Sequence, residues 1–507
     1  MTTNAPLVIG IIVAFLVANA IIIRKFHVTQ DSVEQYAVGG RNLGWILVCF
    51  SYVGAWYVGA IYTGWVANAA DLGIFVLYLG IYSIGGMITM YFMASNVWIW
   101  GKVYNLTSIT DFIKLRYQSH LFSKFFSVVV VCVNFFWLIV EMITIGYCFQ
   151  VATNSIIDFR VGTVIASAFV IAYSYLGGAR ATAIGNVVQG IMFAVVGTVV
   201  FFVIIYKTYG GPTPLFEMVQ ANMPEHLSLA GNQGLWMSSI LTGIMGAYVW
   251  PQIFNRMFMS KGPSDTKKAV FVAPVLVVLV TCGILWSALG GNMLEGFPAD
   301  HQQGLFWIAN EYVGPVALAL VAIFAISASM STISAVSHSI GVMLGTEFVT
   351  RKSHDPMRRM KNQQYATLAV GVVAIIIATL NFPNLNNVAL AMYEFIIQAF
   401  VPLFMGILWR RGNIYGAFIG MIAGVAIALI QFFVGQSGGS IVSWAGGFSA
   451  GCVGLLVNFV IYMVFALAVG KPAHADGMWE SLKLYDEEGQ YVSDGTEDKD
   501  AIAKYSM

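Results

Sequence analysis

Two apolar stretches of this 507-residue chain carry an unusual density of polar groups. The first, residues 49–65, places Gly54, Gly59 and Gly64 five residues apart among serine, tyrosine and tryptophan. Glycine inside an apolar helix permits an unwound turn whose freed carbonyl oxygens can coordinate a cation. Close helix packing through small residues explains the same spacing equally well. The stretch is therefore either an ion site or a packing face.

The second stretch, residues 324–338, contains a row of hydroxyl groups. Ser327, Ser331, Ser334 and His338 recur at helical spacing on one face, and Thr332 lies beside them. Hydroxyl and carbonyl oxygens are hard ligands that suit a small hard cation. Such a row can also join helices or satisfy backbone carbonyls. The density of hydroxyls favours an ion site.

Two acids, Glu141 and Glu394, lie deep in apolar runs. A carboxylate inside a membrane is costly and is a functional hypothesis by default. It can stay protonated, shuttle a proton or pair with a cationic solute. We expect His338, by contrast, to be a hydrogen-bonded structural histidine rather than a proton carrier.

The composition identifies an integral membrane protein, because 58% of the residues are hydrophobic and only 10% are charged. Soluble domains have roughly 45–50% apolar and about 25% charged residues. Lys+Arg is 25 and Asp+Glu is 24, which gives no case for nucleic-acid binding. The sequence contains no Walker A, dinucleotide-binding, zinc-protease or serine-hydrolase motif. We therefore expect neither an enzyme nor an organic cofactor, and transport must be driven by a gradient.

An all-α polytopic fold is predicted, since a helix needs about 20 apolar residues to cross the bilayer. The second, fourth and ninth of the predicted spans are long enough to be tilted or broken. The thirteen spans are 6–24, 43–70, 73–100, 122–154, 159–177, 181–207, 235–258, 268–292, 312–346, 362–381, 387–409, 413–434 and 441–470.

Basic residues concentrate in alternate loops, which predicts the orientation. The N-terminus is expected outside and the C-terminus in the cytoplasm of a multi-pass plasma-membrane protein, a bacterial inner membrane being favoured. Residues 1–470 form the predicted transmembrane domain. Residues 471–507 are rich in acids and are expected to be a disordered cytoplasmic tail.

Several motifs together resemble the sodium:solute symporter family across the membrane portion. They are the 175–189 stretch with its Gly-Gly pair and Asn186-x-x-Gln189, the Ala-x-x-Ser-Thr of 328–332, Ala399-Phe-Val-Pro402 followed by Trp409-Arg-Arg-Gly412, and Pro251-Gln252 with Arg256.

The resemblance implies a five-plus-five inverted repeat, with core repeats at about 43–207 and 235–409 and two broken or long core helices. It also implies a sodium site between the second and ninth spans. Carried over by motif position, the ligands are the carbonyls of Gly54, Tyr57 and Ala328 and the hydroxyls of Ser331 and Thr332.

Departures from the family pattern concern a second sodium. Asn186 stands where many members have an acid, and Ala335 replaces a serine that other members use with Ser334. We therefore expect one sodium per cycle. Asn186, Ser334 and Glu394 are candidates for coupling or ion exit.

The predicted solute site combines aromatic side chains, one acid and one amide. Such a site suits an amine or amino-acid-like solute through cation–π contact and ion pairing, with a monocarboxylate or vitamin-type acid next. Its residues are Tyr52, Trp56, Tyr62, Trp65, Glu141 and Gln252.

The sequence thus predicts sodium-coupled import of a small organic solute by alternating access. One alternative is proton coupling through Glu141 or Glu394, and another is a transporter-like membrane sensor or channel that signals through the tail. The expected partners are the solute, sodium and the lipid bilayer, with no nucleic acid and no obligate protein partner.

Overall fold

The computed structural model describes residues 5–25, 31–349, 355–380, 392–434, 441–442, 445–493 and 502. Predicted spans 362–381 and 387–409 therefore lie partly outside the described residues. The helices of the first half are α1 (Ala5–Lys25), α2 (Val33–Val38), α3 (Trp45–Trp56), α4 (Gly64–Leu72), α5 (Tyr78–Val103), α6 (Ile109–Tyr117), α7 (His120–Ala152), α8 (Phe159–Ile191), α9 (Thr198–Tyr209) and α10 (Pro212–Asn222).

The second half is also helical, with one antiparallel hairpin of two short strands, β1 (Ile441–Val442) and β2 (Phe448–Ser449). Its helices are α11 (Gln233–Gly246), α12 (Pro251–Met259), α13 (Pro263–Leu289), α14 (Gly304–Ile308), α15 (Pro315–Leu344), α16 (Pro356–Thr379), α17 (Phe400–Leu408), α18 (Ile414–Val434), α19 (Ala450–Ala468) and α20 (Ala475–Glu480).

The fold is the predicted all-α membrane architecture. Within the described residues, nine helical segments are long and apolar enough to cross a membrane, and shorter apolar helices accompany them. The count of thirteen spans stays a prediction.

Among the described residues, two predicted spans are interrupted by non-helical segments, the second between α3 and α4 and the seventh between α11 and α12. Pro251 begins α12, because proline lacks an N–H and fits the first helical position. The break in the seventh span was not predicted. The fourth and ninth spans, which were predicted to be tilted or broken, are continuous helices, α7 and α15. Breaks at corresponding positions of two halves are typical of inverted-repeat transporters.

Helix α15 occupies the centre of the bundle. Every residue from Ala317 to Met343 except Leu320 is buried, and the helix packs against α3, α7, α8 and α16. A helix that is buried on all sides is a core helix. The hydroxyl row of α15 is therefore inside the protein and away from lipid.

One predicted span boundary falls at a kink in a helix, and another falls at the hairpin. The break expected between 177 and 181 is present, because Gly178 has φ 54° within Phe159–Ile191. The last span does not begin at 441. The hairpin, with a turn at Gly446 and Gly447 of positive φ, comes first, and Ser449 caps the helix that starts at Ala450.

The predicted disordered tail is folded over residues 471–493. The Trp100 indole donates to the carbonyl of Met478 at 2.7 Å, and the Lys267 ammonium lies 2.8 Å from the Glu487 carboxylate. The expectation of disorder was wrong for this part, because Trp479 packs on Trp100 with ring centroids 5.0 Å apart. Residues 494–501 and 503–507 lie outside the described residues.

We predict that deleting residues 471–507 lowers thermal stability more than deleting 494–507. The longer deletion leaves the buried indole of Trp100 without its acceptor, which costs about 1–3 kcal/mol. Melting of both purified variants in detergent measures the difference. Equal melting temperatures would show that the folded tail adds nothing to stability.

Candidate functional site

The interruption between α3 and α4 leaves buried backbone groups that need partners. Tyr57 and Val58 are extended, Gly59–Tyr62 forms one 3-10 turn, and the helix resumes at Gly64. Unpaired backbone groups are costly inside a membrane. Side chains from α7 and α15 supply the missing partners.

Two hydroxyls of α15 contact the freed carbonyls. The Ser331 hydroxyl lies 2.6 Å from the Gly54 carbonyl and 2.7 Å from that of Ala328. The Thr332 hydroxyl lies 3.1 Å from the carbonyls of both Tyr57 and Ala328. The structure thus brings all five predicted ligand residues into one buried oxygen cluster.

The electrostatics of this oxygen cluster favour a small monovalent cation. Its oxygens are uncharged and hard, which is the ligand type that alkali and alkaline-earth cations prefer. The Gly54 carbonyl lies in the last turn of α3 and the Tyr57 carbonyl at its C-cap. A helix C-terminus carries negative partial charge, which attracts a cation without a carboxylate.

Glu141 supports the unwound segment from the other side. One carboxylate oxygen accepts the Gly59 N–H at 2.8 Å, and the side chain is fully buried. Gly59 has no room for a side chain, since a Cβ there would meet the Ser329 hydroxyl at 1.8 Å. Glu141 therefore holds backbone in place.

Two adjoining cavities lie beside the oxygen cluster and share Trp56, Val58, Tyr82 and Tyr393. Of the predicted solute residues, Trp56, Trp65 and Gln252 line them. Tyr52, Tyr62 and Glu141 do not, because they are buried behind the cavity walls. The remaining lining residues are Ala55, Tyr57, Ile61, Leu79, Ser83, Trp137, Gly243, Ala247, Trp250, Ile253, Val277 and Thr281.

Sequence reasoning missed four aromatic walls of these cavities. Trp137 precedes Glu141 by one helical turn, and Trp250 directly precedes Pro251 and Gln252. Their closeness in sequence to predicted solute residues could have identified both. Tyr82 and Tyr393 had none, because they come from α5 and from the segment before α17 and meet the other walls only in the fold.

The three coupling candidates fall in two places. Asn186 and Ser334 are in contact at 3.2 Å, one turn along α15 from Ser331. Glu394 instead accepts a hydrogen bond from the Gly451 N–H at the start of α19. Glu394 therefore links the segment before α17 to α19.

The profile of the sodium:solute symporter family matches residues 36–424, about three quarters of the chain. The chain belongs to this family.

The similarity to known proteins covers nearly the whole chain. The symporter YhjB of Bacillus subtilis is 26% identical over 93% of this chain and 99% of its own length. The osmoregulated proline transporter OpuE of the same organism is 25% identical over 90% of this chain and 94% of its own. A solved sodium-coupled sialic acid symporter, substrate-bound and outward-open, has a TM-score of 0.73 at 18% identity and covers 92% and 98% of the two chains. The last comparison shows the shared fold.

We predict that Gly54→Ala destabilises the symporter, because the added Cβ would lie 2.4 Å from the Asn186 carbonyl oxygen. Overpacking of this kind costs about 1–3 kcal/mol. Gly10→Ala in α1 is the matched control, since nothing lies within 4 Å of its Cβ. Equal thermal stability of the two variants would contradict the tight contact between α3 and α8.

Proposed function

We propose that this symporter imports a small organic solute together with sodium by alternating access. The observation that carries the proposal is the buried oxygen cluster between the unwound segment and α15, at Ser331 and Thr332. Sodium there would tie two separate helices together. Such a link lets ion binding favour one conformation over another.

One sodium per cycle fits the residues around the oxygen cluster. Asn186 supplies a neutral amide, and Ala335 supplies no oxygen. A single inward sodium provides about 2.3 kcal/mol per 100 mV of membrane potential. Since 1.4 kcal/mol corresponds to a tenfold ratio, one ion suffices to concentrate a neutral solute more than tenfold.

The cavity favours an amino-acid-like zwitterion as the solute. No charged side chain lines the cavities within the described residues, so a solute without net charge needs no fixed counter-charge. The N-terminus of α12 at Gln252 offers positive partial charge for a carboxylate. The C-terminus of α3 at Trp56 offers negative partial charge and an aromatic face for an amine.

The relatives support a carboxylate-bearing solute. OpuE is named for proline, which has both an amine and a carboxylate, and the solved symporter for sialic acid. Because Glu141 accepts the Gly59 N–H and does not line the cavities, we propose a solute site without the Glu141–amine ion pair that the sequence suggested. A monocarboxylate or vitamin-type acid stays the second choice.

We further propose a plasma-membrane location with the N-terminus outside and the folded tail in the cytoplasm. The basis is the distribution of lysine and arginine over alternate loops. Lys267, which pairs with Glu487 of the tail, lies in the basic loop 259–267 between two predicted spans, which this rule places in the cytoplasm.

Uptake into proteoliposomes tests this function. A panel of radiolabelled L-proline, other amino acids, monocarboxylates and pantothenate is offered under an inward sodium gradient, a potassium gradient and a proton gradient. Sodium-dependent accumulation of an amino acid is expected. Accumulation driven by protons alone would favour the proton-coupled alternative, and no accumulation of any solute would favour the sensor or channel.

We predict that Ser331→Ala raises the sodium concentration for half-maximal uptake at least about tenfold, which is a loss of about 1.4 kcal/mol. The variant removes one hydroxyl from the oxygen cluster. Ser337→Ala is the control, because Ser337 is also buried on α15 but its hydroxyl bonds the Ser334 carbonyl at 3.3 Å. Equal sodium dependence in both variants would remove Ser331 from the ion site.

A further inference from the structure

Arg256 on α12 is a buried cation whose described partners are all neutral. It is 4% exposed, and its Nε lies 2.9 Å from both the carbonyl and the hydroxyl oxygen of Ser51. The ion pairs of the described chain do not include it. Since a buried charge is costly, its position calls for an explanation beyond packing.

The first arm of the guanidinium reaches the α3 wall of the oxygen cluster. Ser51 precedes Gly54 by about one helical turn. The bonds from Arg256 Nε to Ser51 therefore fix the turn that carries the Gly54 carbonyl. That carbonyl is one of the oxygens that Ser331 contacts.

The second arm reaches the α15 wall through Asn186. With its amide oriented to satisfy both atoms, Asn186 accepts from Arg256 Nη2 at 2.6 Å and donates to the Ser334 hydroxyl at 3.2 Å. The Ser334 hydroxyl in turn donates to the Ser331 carbonyl at 3.0 Å. These hydrogen bonds, the Ser331–Gly54 bond and the α3 backbone between Ser51 and Gly54 together form a closed ring through α12, α3, α15 and α8 on one side of the oxygen cluster.

The third arm reaches the solute cavity. Arg256 Nη1 donates to the carbonyl of Gln252, and Gln252 lines the cavity. One planar group therefore bonds to the α3 wall of the oxygen cluster, to the first turn of α12 and, through Asn186, to the α15 wall. A guanidinium can do this because its donors point in several fixed directions, whereas a lysine ammonium is a single flexible point charge.

We infer that Arg256 is a positioning residue that transmits sodium binding to the solute cavity through α12. The inference rests on the proposed sodium site. Sodium fixes Gly54 against Ser331, and the ring of hydrogen bonds then holds α12, with Gln252, in the arrangement that receives the solute. By reciprocity, solute bound against Gln252 strengthens sodium binding.

A thiol-labelling experiment tests the relay with sodium alone as the ligand. Gln252→Cys keeps the backbone carbonyl that Arg256 contacts, and its rate of modification by N-ethylmaleimide is followed by mass spectrometry of the labelled peptide. We expect sodium in place of potassium to change this rate about fivefold or more, within the usual range of coupling between sites. Adding Arg256→Met should reduce the change to none.

Arg116→Lys is the matched control for removing a buried guanidinium. Arg116 is also fully buried, and its described hydrogen bonds go to backbone carbonyls, with Gly406 at 2.9 Å and Trp409 at 3.0 Å. In the Gln252→Cys background this variant should keep the sodium effect. If Arg256→Met does not fold, Asn186→Ala opens the same ring without removing a charge and should also abolish the effect.

Separate binding of ²²Na⁺ distinguishes failure of the relay from failure of the proposed function. If the Gln252→Cys protein binds no sodium, the proposed sodium site is wrong. If it binds sodium but the labelling rate does not respond, or responds equally without Arg256, the inference about Arg256 is overturned.

Discussion

The need to satisfy backbone groups inside the membrane governs the centre of this symporter. A helix that unwinds in the bilayer exposes N–H and C=O groups for which lipid offers no partner. Here the Gly59 N–H donates to Glu141. The carbonyls of Gly54 and Tyr57 accept hydrogen bonds from Ser331 and Thr332. The side chains of Ser331 and Thr332, which make the break tolerable, also belong to the proposed cation site. Structure and proposed function therefore share one cause.

The second break, between α11 and α12, completes the arrangement. It places Trp250 and Gln252 in the same cavity as Trp56, so the proposed solute cavity lies between the interrupted ends of the two halves. Helix ends of opposite partial charge then face one space. The uncharged cavity and the neutral oxygen cluster together support the proposal that a zwitterion and one cation share the core without a fixed carboxylate for either. Arg256 connects the two regions from α12.

Residue patterns singled out the two helices of the proposed ion site but not how these helices meet. The glycines of 49–65 and the hydroxyl row of α15 were visible because polar groups are rare in apolar runs, yet only family resemblance paired Gly54 with Ser331. Glu141 was found for the same reason, but its partner, a backbone N–H freed by unwinding, has no sequence signal. Tyr393 lines the cavity through long-range packing. The fold of the tail was not predicted, because its many acidic residues indicated disorder and the packing of Trp479 on Trp100 has no sequence signal.

Equilibrium binding of ²²Na⁺ to the purified protein tests the central claim most directly. Binding is measured at constant ionic strength with potassium as the balancing cation, for the unmodified chain and for Ser331→Ala. The account predicts one saturable sodium per protein and at least about tenfold weaker sodium binding in the variant. Two sodium ions per protein, or one that Ser331→Ala leaves unchanged, would contradict a single site built on the Gly54, Ala328 and Ser331 oxygens.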